Sequence, residues 1–316
     1  MNLSVVNPNF SIVAPVGCNA KCSFCFWENK NPLPKTEYLS RLKSVLGFLP
    51  NDFYQCSITG GEPTLLAHLE CILEIVRPRF SKVVLSTNGT ALRPKIYDYI
   101  DHLNISRHDI DDKRNAAIFG TDTIPCKERL SNICHGANSA GIDVTLNCVL
   151  PGDFTGREYI YDYIQFAKEV NASRVCFRKA LSDLEILPVE AELPYAITGE
   201  NECPVCRSTT RLIHGMETWW KYGIMEPSIG MGGVYELIFH PGGELTTDWK
   251  GEVPVDINEA RLREIIKEVL VEVLGDAGRD KPSIKEKAPK DETPHLDPKF
   301  KRGTPSPAGC SPSRGC

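Results

Sequence analysis

From Ser11 to Arg178, short β-rich runs alternate with stretches of helical spacing, and this alternation narrows the fold more than any other feature of the chain. Ser11–Ala14, Gln55–Thr59, Lys82–Ser86, Leu103–Ser106, Asp143–Leu150 and Ser173–Phe177 have the apolar, β-branched character of strands. Tyr38–Leu49, Leu65–Val76, Pro94–His102, Arg129–Ala140 and Tyr159–Val170 repeat apolar residues at a helical period. Such alternation predicts an α/β fold with a parallel sheet and right-handed crossovers. Six strands are two fewer than a full barrel has, so an open partial barrel and a doubly wound sheet both fit. In either architecture function collects at the C-terminal ends of the strands. The unusual residues of this chain stand there: a cysteine loop after the first strand, Gly60-Gly61-Glu62-Pro63 after the second, Thr87-Asn88-Gly89 after the third, and Arg107-His108-Asp109 after the fourth.

Beyond about residue 200 the pattern changes. Thr209–Tyr222 reads as a helix, Val234–His240 and Glu244–Trp249 as a hairpin around Pro241-Gly242-Gly243, and Ile257–Leu274 as a charged amphipathic helix closed by Gly275. From Asp276 the chain is rich in Lys, Pro, Ser and Gly and reads as disordered. The expected organisation is therefore a core over 1–200, an extension or lid over 201–275 and a tail over 276–316. A net charge of −5 offers no general attraction for nucleic acid or an anionic membrane. No stretch approaches the roughly 20 apolar residues of a membrane span. The first ten residues lack the layout of a signal peptide, so the chain reads as cytoplasmic.

Thirteen cysteines in such a chain are expected to be reduced, buried or metal-bound. Cys56, Cys71, Cys126, Cys134, Cys148 and Cys176 are scattered through apolar segments and read as packing residues. Cys18, Cys22 and Cys25 form a C-x3-C-x2-C run, CNAKCSFC. Thiolates suit iron–sulfur clusters or zinc, but structural zinc takes four protein ligands, and neither a fourth cysteine nor a histidine lies nearby. A cubane cluster on three thiolates would keep one iron open to a small chelating molecule.

With that loop and Gly60-Gly61-Glu62-Pro63 together, Ser11–Arg178 resembles the radical S-adenosylmethionine (SAM) superfamily. The resemblance implies a partial (β/α)6 TIM-like barrel, with a [4Fe-4S] cluster held by Cys18, Cys22 and Cys25. It implies SAM as the second cofactor, with Phe24 beside the adenine and Gly60, Gly61, Glu62 and Pro63 at the methionine amino group. More loosely, it places Thr87, Asn88, Ser106, Arg107, Asn147 and Arg178 at strand ends that touch the rest of SAM. A flavodoxin or ferredoxin would deliver the electron, and the resulting 5′-deoxyadenosyl radical would take hydrogen from a small-molecule or peptide substrate. Modification of a nucleotide or nucleic acid, and a non-catalytic metal-binding scaffold on the same fold, are the competing readings.

Some readings stay open. His108 and Asp109, followed by Asp111 and Asp112, suit substrate binding or proton donation; a solvated charged loop explains them equally. Cys203 and Cys206 suit an auxiliary cluster, a zinc site or a plain dithiol turn. The style of the sixth-strand region is nearest to molybdopterin-precursor synthases and peptide-modifying enzymes. Asp248 or Trp249, however, stands where that branch would place a further cysteine, and only Cys310 and Cys316 of the tail would complete a set. Trp219, Trp220 and Trp249 suit either substrate stacking or core packing.

Overall fold

A computed structural model describes residues 9–25, 27, 31–49, 53–150, 157–179, 196–199, 209–221, 236–251 and 254. Cys203, Cys206, Cys310, Cys316, the 257–274 segment and the tail lie outside the described residues.

Each of the six expected strands forms: β1 Asn9–Ala14, β2 Gln55–Gly60, β3 Lys82–Thr87, β4 His102–Ser106, β5 Asp143–Leu150 and β6 Arg174–Lys179. They lie side by side in chain order, every neighbour parallel. The helices between them are α1 Lys35–Phe48, α2 Leu69–Val76, α3 Asp112–Phe119, α4 Lys127–Ser139 and α5 Arg157–Glu169. Tyr38, Leu42, Val45 and Leu46 of α1, Leu69, Ile72, Leu73 and Val76 of α2, and Leu130, Cys134 and Ala137 of α4 are buried at the spacing that gives each helix one apolar stripe. These stripes pack on one face of the sheet, made by Phe10, Ile12, Ile58, Val83, Leu85, Leu103, Ile105, Val144, Leu146, Val175 and Phe177.

Because strand side chains alternate, the residues between these point the other way. That second face carries most of the polar strand residues, Ser11, Ser57, Ser86, Asn104, Asn147 and Arg178, interspersed with Val13, Val84, Val149 and Cys176. Its members bond to one another across neighbouring strands, Asn104 Nδ2 donating to Ser86 Oγ at 3.3 Å and Arg178 Nε to Asn147 Oδ1 at 3.3 Å. The strands therefore separate an apolar outer layer from a mixed inner one that holds the polar groups.

The chain after residue 195 adds strands at both edges. β7 Ala196–Gly199, β8 Thr209–Ile213 and β9 Met216–Lys221 lie beyond β6, and β10 Glu236–Phe239 and β11 Leu245–Thr246 lie beyond β1. β9 pairs parallel with β6 and β10 parallel with β1, so among the described residues eight strands run in one direction rather than six. The hairpin expected around Pro241-Gly242-Gly243 is present as the antiparallel pair β10 and β11.

Four expectations are corrected. Thr209–Tyr222 is not a helix but the antiparallel pair β8 and β9. His214 and Gly215, both with positive φ, make the two-residue turn, and METWWK alternates between buried and half-buried. Leu65–Val76 is broken into a 3-10 turn, Pro63–Leu65, and α2. Only Pro94–Asp98 of the next stretch is helical, again as 3-10 helix. The acidic loop after the fourth strand contains α3, whose N-cap Asp111 accepts from the Arg114 amide. Of the six scattered cysteines, Cys56, Cys134, Cys148 and Cys176 are buried, while Cys71 and Cys126 are half-buried. Among the described residues no helix is long and apolar enough to cross a membrane.

Candidate active site

The site is assembled from the loops that leave β1, β2 and β3. Gly60 and Gly61 end β2 against the backbone leaving β1. A Cβ on Gly60 would come 2.9 Å from Ala14 N, and one on Gly61 2.5 Å from the Gly17 carbonyl, so no larger residue fits. This contact lets the Glu62 amide donate to Gly17 O at 3.0 Å, one residue before Cys18. The double glycine thus brings backbone against backbone, and the second motif lies directly on the cysteine loop.

Glu62 is 1% exposed and its carboxylate is fully engaged. Oε1 accepts from Thr64 N at 2.9 Å, Thr64 Oγ1 at 2.5 Å and Thr87 Oγ1 at 2.5 Å; Oε2 accepts from Asn88 N at 2.6 Å. Four donors are what a buried carboxylate without a cationic partner needs. The side chain that the resemblance places at the SAM amino group also clamps the ends of β2 and β3 together, beside the half-buried Gly60 and Gly61. Pro63 is buried at the head of the 3-10 turn. Asn88 continues the clamp: its Nδ2 donates to Asn19 Oδ1 at 2.9 Å and its Oδ1 accepts from Thr90 N at 2.9 Å. Asn19 Nδ2 donates in turn to Thr90 Oγ1 at 3.2 Å and Thr123 Oγ1 at 2.8 Å. The Lys21 amide donates to Phe119 O, at 2.7 Å, at the end of α3.

The cysteine loop is thus fastened at Gly17, Asn19 and Lys21 while its thiols stay accessible: Cys18 and Cys25 are exposed and Cys22 half-buried. The Ala20 amide donates to Cys18 Sγ at 3.3 Å, and the Cys25 amide to Cys22 O at 3.1 Å. Burial raises the Cys18 thiol, with Glu62 and Cys25 adding to the effect. Burial likewise pushes Cys22 up to about 11, Cys25 and Cys18 adding to it. The three sulfurs are close enough to act on each other's charge, so a ligand that takes all three as thiolates must displace protons and supply positive charge. Among the described residues no three His, Cys, Asp or Glu side chains surround one ion-sized position. A [4Fe-4S] cluster needs a different arrangement, one thiolate at each of three corners. Three accessible soft ligands on a loop held by backbone contacts, with an amide aimed at one sulfur, fit that group.

Phe24 is half-buried, its ring edge-on to His108 at 5.0 Å, and His108 stacks on Phe119 at 4.7 Å. Burial, and next the Arg107 charge, lower His108 to about 3, so its imidazole is neutral; Nδ1 accepts from the Val149 amide at 3.1 Å. His108 therefore backs Phe24 and is not a proton donor. Arg107 is 1% exposed. It donates from Nε to Asp109 O at 2.6 Å, from Nη1 to Pro125 O at 3.1 Å, and from Nη2 to Ile110 O at 3.0 Å and Asp112 Oδ1 at 2.7 Å. With its donors on its own loop and on the Pro125 carbonyl beyond α3, Arg107 braces the end of β4. Asp109 is held by Arg114, Nε to Oδ2 and Nη2 to Oδ1, both at 3.0 Å. It is buried and does not belong to a solvated loop.

Ser106 and Asn147 are register partners at the ends of β4 and β5, and Arg178 reaches Asn147 from β6. These three face the inner layer, within the same mouth. Trp220 is buried against Phe177 at 5.0 Å, whereas Trp219 is half-buried with Lys221 Nζ 5.5 Å from its ring centroid. Thr64 and Asn19, which complete the clamp, carry only weak sequence signals: a hydroxyl two residues after Glu62, and an amide inside the cysteine run.

Residues 12–166 match the family described as the Radical SAM superfamily. A probable GTP 3′,8-cyclase of Pyrococcus abyssi is 29% identical over 174 residues, 52% of this chain and 54% of that protein. The chain thus spans about half the length of such curated relatives. Streptococcus suis SuiB superposes with a TM-score of 0.54 at 17% identity, covering 76% of this chain and 60% of SuiB. The structure of anSMEcpe with bound AdoMet and Cp18Cys peptide gives 0.53 at 14% identity, covering 83% and 80%.

Proposed function

Through residues 12–166 the chain belongs to the radical SAM superfamily, whose members are enzymes using an iron–sulfur cluster and SAM, and on that premise we propose how its own residues divide the work. Cys18, Cys22 and Cys25 hold a [4Fe-4S] cluster by three corners. The Gly60–Gly61 backbone would hold the methionine end of SAM, and Phe24 would lie beside its adenine. Ser106, Asn147 and Arg178 meet its remaining polar groups. The chemistry such a cluster supplies when bound is one-electron reduction of the SAM sulfonium, giving methionine and a 5′-deoxyadenosyl radical. The protein's part is placement and shelter: the Glu62 clamp fixes the cysteine loop relative to the SAM cradle, and the parallel strands enclose a polar interior in which a substrate C–H bond is presented. A flavodoxin or ferredoxin is the electron donor, and a small molecule or peptide the substrate. We assign the cluster chemistry to residues 1–200 and the extension or lid to 201–275.

The observation that carries this reading is the contact between the two motifs, Glu62 N to Gly17 O, which sets the glycine turn against three accessible thiols. Anaerobic reconstitution tests it: a brown protein with about four irons per chain should form 5′-deoxyadenosine from SAM and a strong reductant. A colourless protein that retains zinc and leaves SAM intact would favour the scaffold reading. A nucleotide substrate is the second reading, favoured by the GTP 3′,8-cyclase relatives; dependence of 5′-deoxyadenosine formation on added GTP separates it from the first.

A further inference from the structure

β10 contributes Glu236, a carboxylate in a strand whose other residues are apolar. It is 6% exposed. Ser11 Oγ of β1 donates to its Oε1, which places the carboxylate on the polar side of the sheet. Trp249 is a second hydrogen-bond partner of the carboxyl, and among the described residues the buried Oε2 itself has none. The charges that act on it come from far along the sheet: Arg178 of β6 and Lys221 of β9, register partners of each other. Neighbouring strands lie about 4.8 Å apart, so in a flat sheet the six spacings from β10 to β6 would amount to about 29 Å, beyond useful electrostatic range in salt. The coupling requires that the sheet curl until β10 faces β6 and β9 across the interior. Burial, against the opposing pull of Ser11, Trp249 and the two cations, raises the Glu236 carboxyl to about 7.

A buried carboxylate oxygen without a donor is costly and is retained where something else supplies the donor. We propose that Glu236 is a substrate-contacting residue of the barrel interior. Its Oε2 accepts a hydrogen bond from an amine, amide or hydroxyl of a polar substrate, and Arg178 and Lys221 face that substrate's anionic or acceptor groups. The proposal rests on the radical SAM reading for the identity of the interior as a substrate chamber. It goes beyond that reading in naming the residue and the dipolar chemistry that it selects.

Labelling of the full-length wild-type protein with a carbodiimide and glycinamide, followed by peptide mass spectrometry, tests the site directly. Glu62 is the internal control, because its fully bonded carboxylate reacts only on local opening. Glu236 should label about tenfold faster than Glu62 or more. Equal, slow labelling would show Glu236 sealed in a structural pocket and would overturn the proposal. As a second measurement, Glu236→Gln and wild type are incubated anaerobically with SAM, reductant and a low-molecular-mass cell extract. Any product found with the wild type should fall about tenfold or more in the variant while the thermal midpoint holds within a few degrees. An undiminished product would also overturn it. Failure of the wild type to form 5′-deoxyadenosine would instead strike the parent reading, and the labelling ratio is independent of that outcome.

Discussion

The ends of β1, β2 and β3 and the end of β4 are built from similar residues and organised oppositely. At the first three, Glu62, Thr64, Thr87, Asn88 and Asn19 bond to one another from different loops, and this leaves the thiols of Cys18 and Cys25 exposed. At the fourth, Arg107 bonds to carbonyls of its own loop, and Tyr163 Oη and Tyr159 Oη of α5 donate to the Arg107 and His108 carbonyls at 2.6 and 3.2 Å. One network holds a loop so that reactive atoms can point outward; the other turns the Arg107 guanidinium and the loop carbonyls toward each other to make a wall. Polar residues at a strand's C-terminal end mark a site only when their neighbours leave donors or ligands unused.

The largest effect expected is at the first network. Cys22→Ala should abolish iron retention and 5′-deoxyadenosine formation, because a cluster losing one of three thiolates has too few anchors. The unfolding midpoint of the metal-free protein should scarcely move, since the half-buried thiol makes little packing contact. A cluster that survives this change with full turnover would break the assignment of the loop.

The opposite profile is expected at β4. Arg107→Met strands the Asp109, Ile110 and Pro125 carbonyls and should destabilise the metal-free protein by about 3 kcal/mol, read by urea denaturation. Molecules that fold should keep SAM affinity. A large loss of SAM binding with unchanged stability would return Arg107 to the cofactor site. Glu62→Gln lies between the two. It replaces two accepting oxygens with one and aims an NH2 group at a donor, so about 2 kcal/mol of stability should be lost together with tight cluster retention. Stability loss alone would separate the clamp from the loop it holds.

Most of the parallel sheet was legible because β-rich runs and helical spacing are periodic signals, as at Lys82–Thr87 and α5. The cysteine run and the glycine–glutamate turn were legible because soft ligands and paired glycines are rare at such spacing. The rest depended on tertiary partners. Thr209–Lys221 has apolar residues that suit either period, and only pairing of β9 with β6 selects the strand. Arg107 and Glu62 read as cofactor contacts and His108 as a substrate-binding or proton-donating group, and nothing local reveals the carbonyl, hydroxyl and amide from elsewhere that bond to them. Glu236 hides within an apolar run, and only the pairing of β10 with β1 sets it beside Ser11.

The smallest effect sharpens the contrast through pH. His108 is lowered to about 3 by burial and the Arg107 charge, against roughly 6.5 in an unfolded chain. Since the unfolded state takes up this proton first, stability is complete above pH about 6.5 and is lost as the pH falls towards 3, at up to about 1.4 kcal/mol per pH unit. His102, lowered to about 4 mainly by burial, titrates in the same window, as do carboxylates, so the wild-type slope alone is not diagnostic. His108→Gln keeps an acceptor for the Val149 amide and removes only the proton site. Urea midpoints of metal-free wild type and variant between pH 7 and pH 4.5 should therefore diverge as acid is added, the variant losing less. If the two curves run parallel, His108 is protonated in the folded protein, and the wall behind Phe24 is wetter and more like the β1–β3 mouth than its hydrogen bonds indicate.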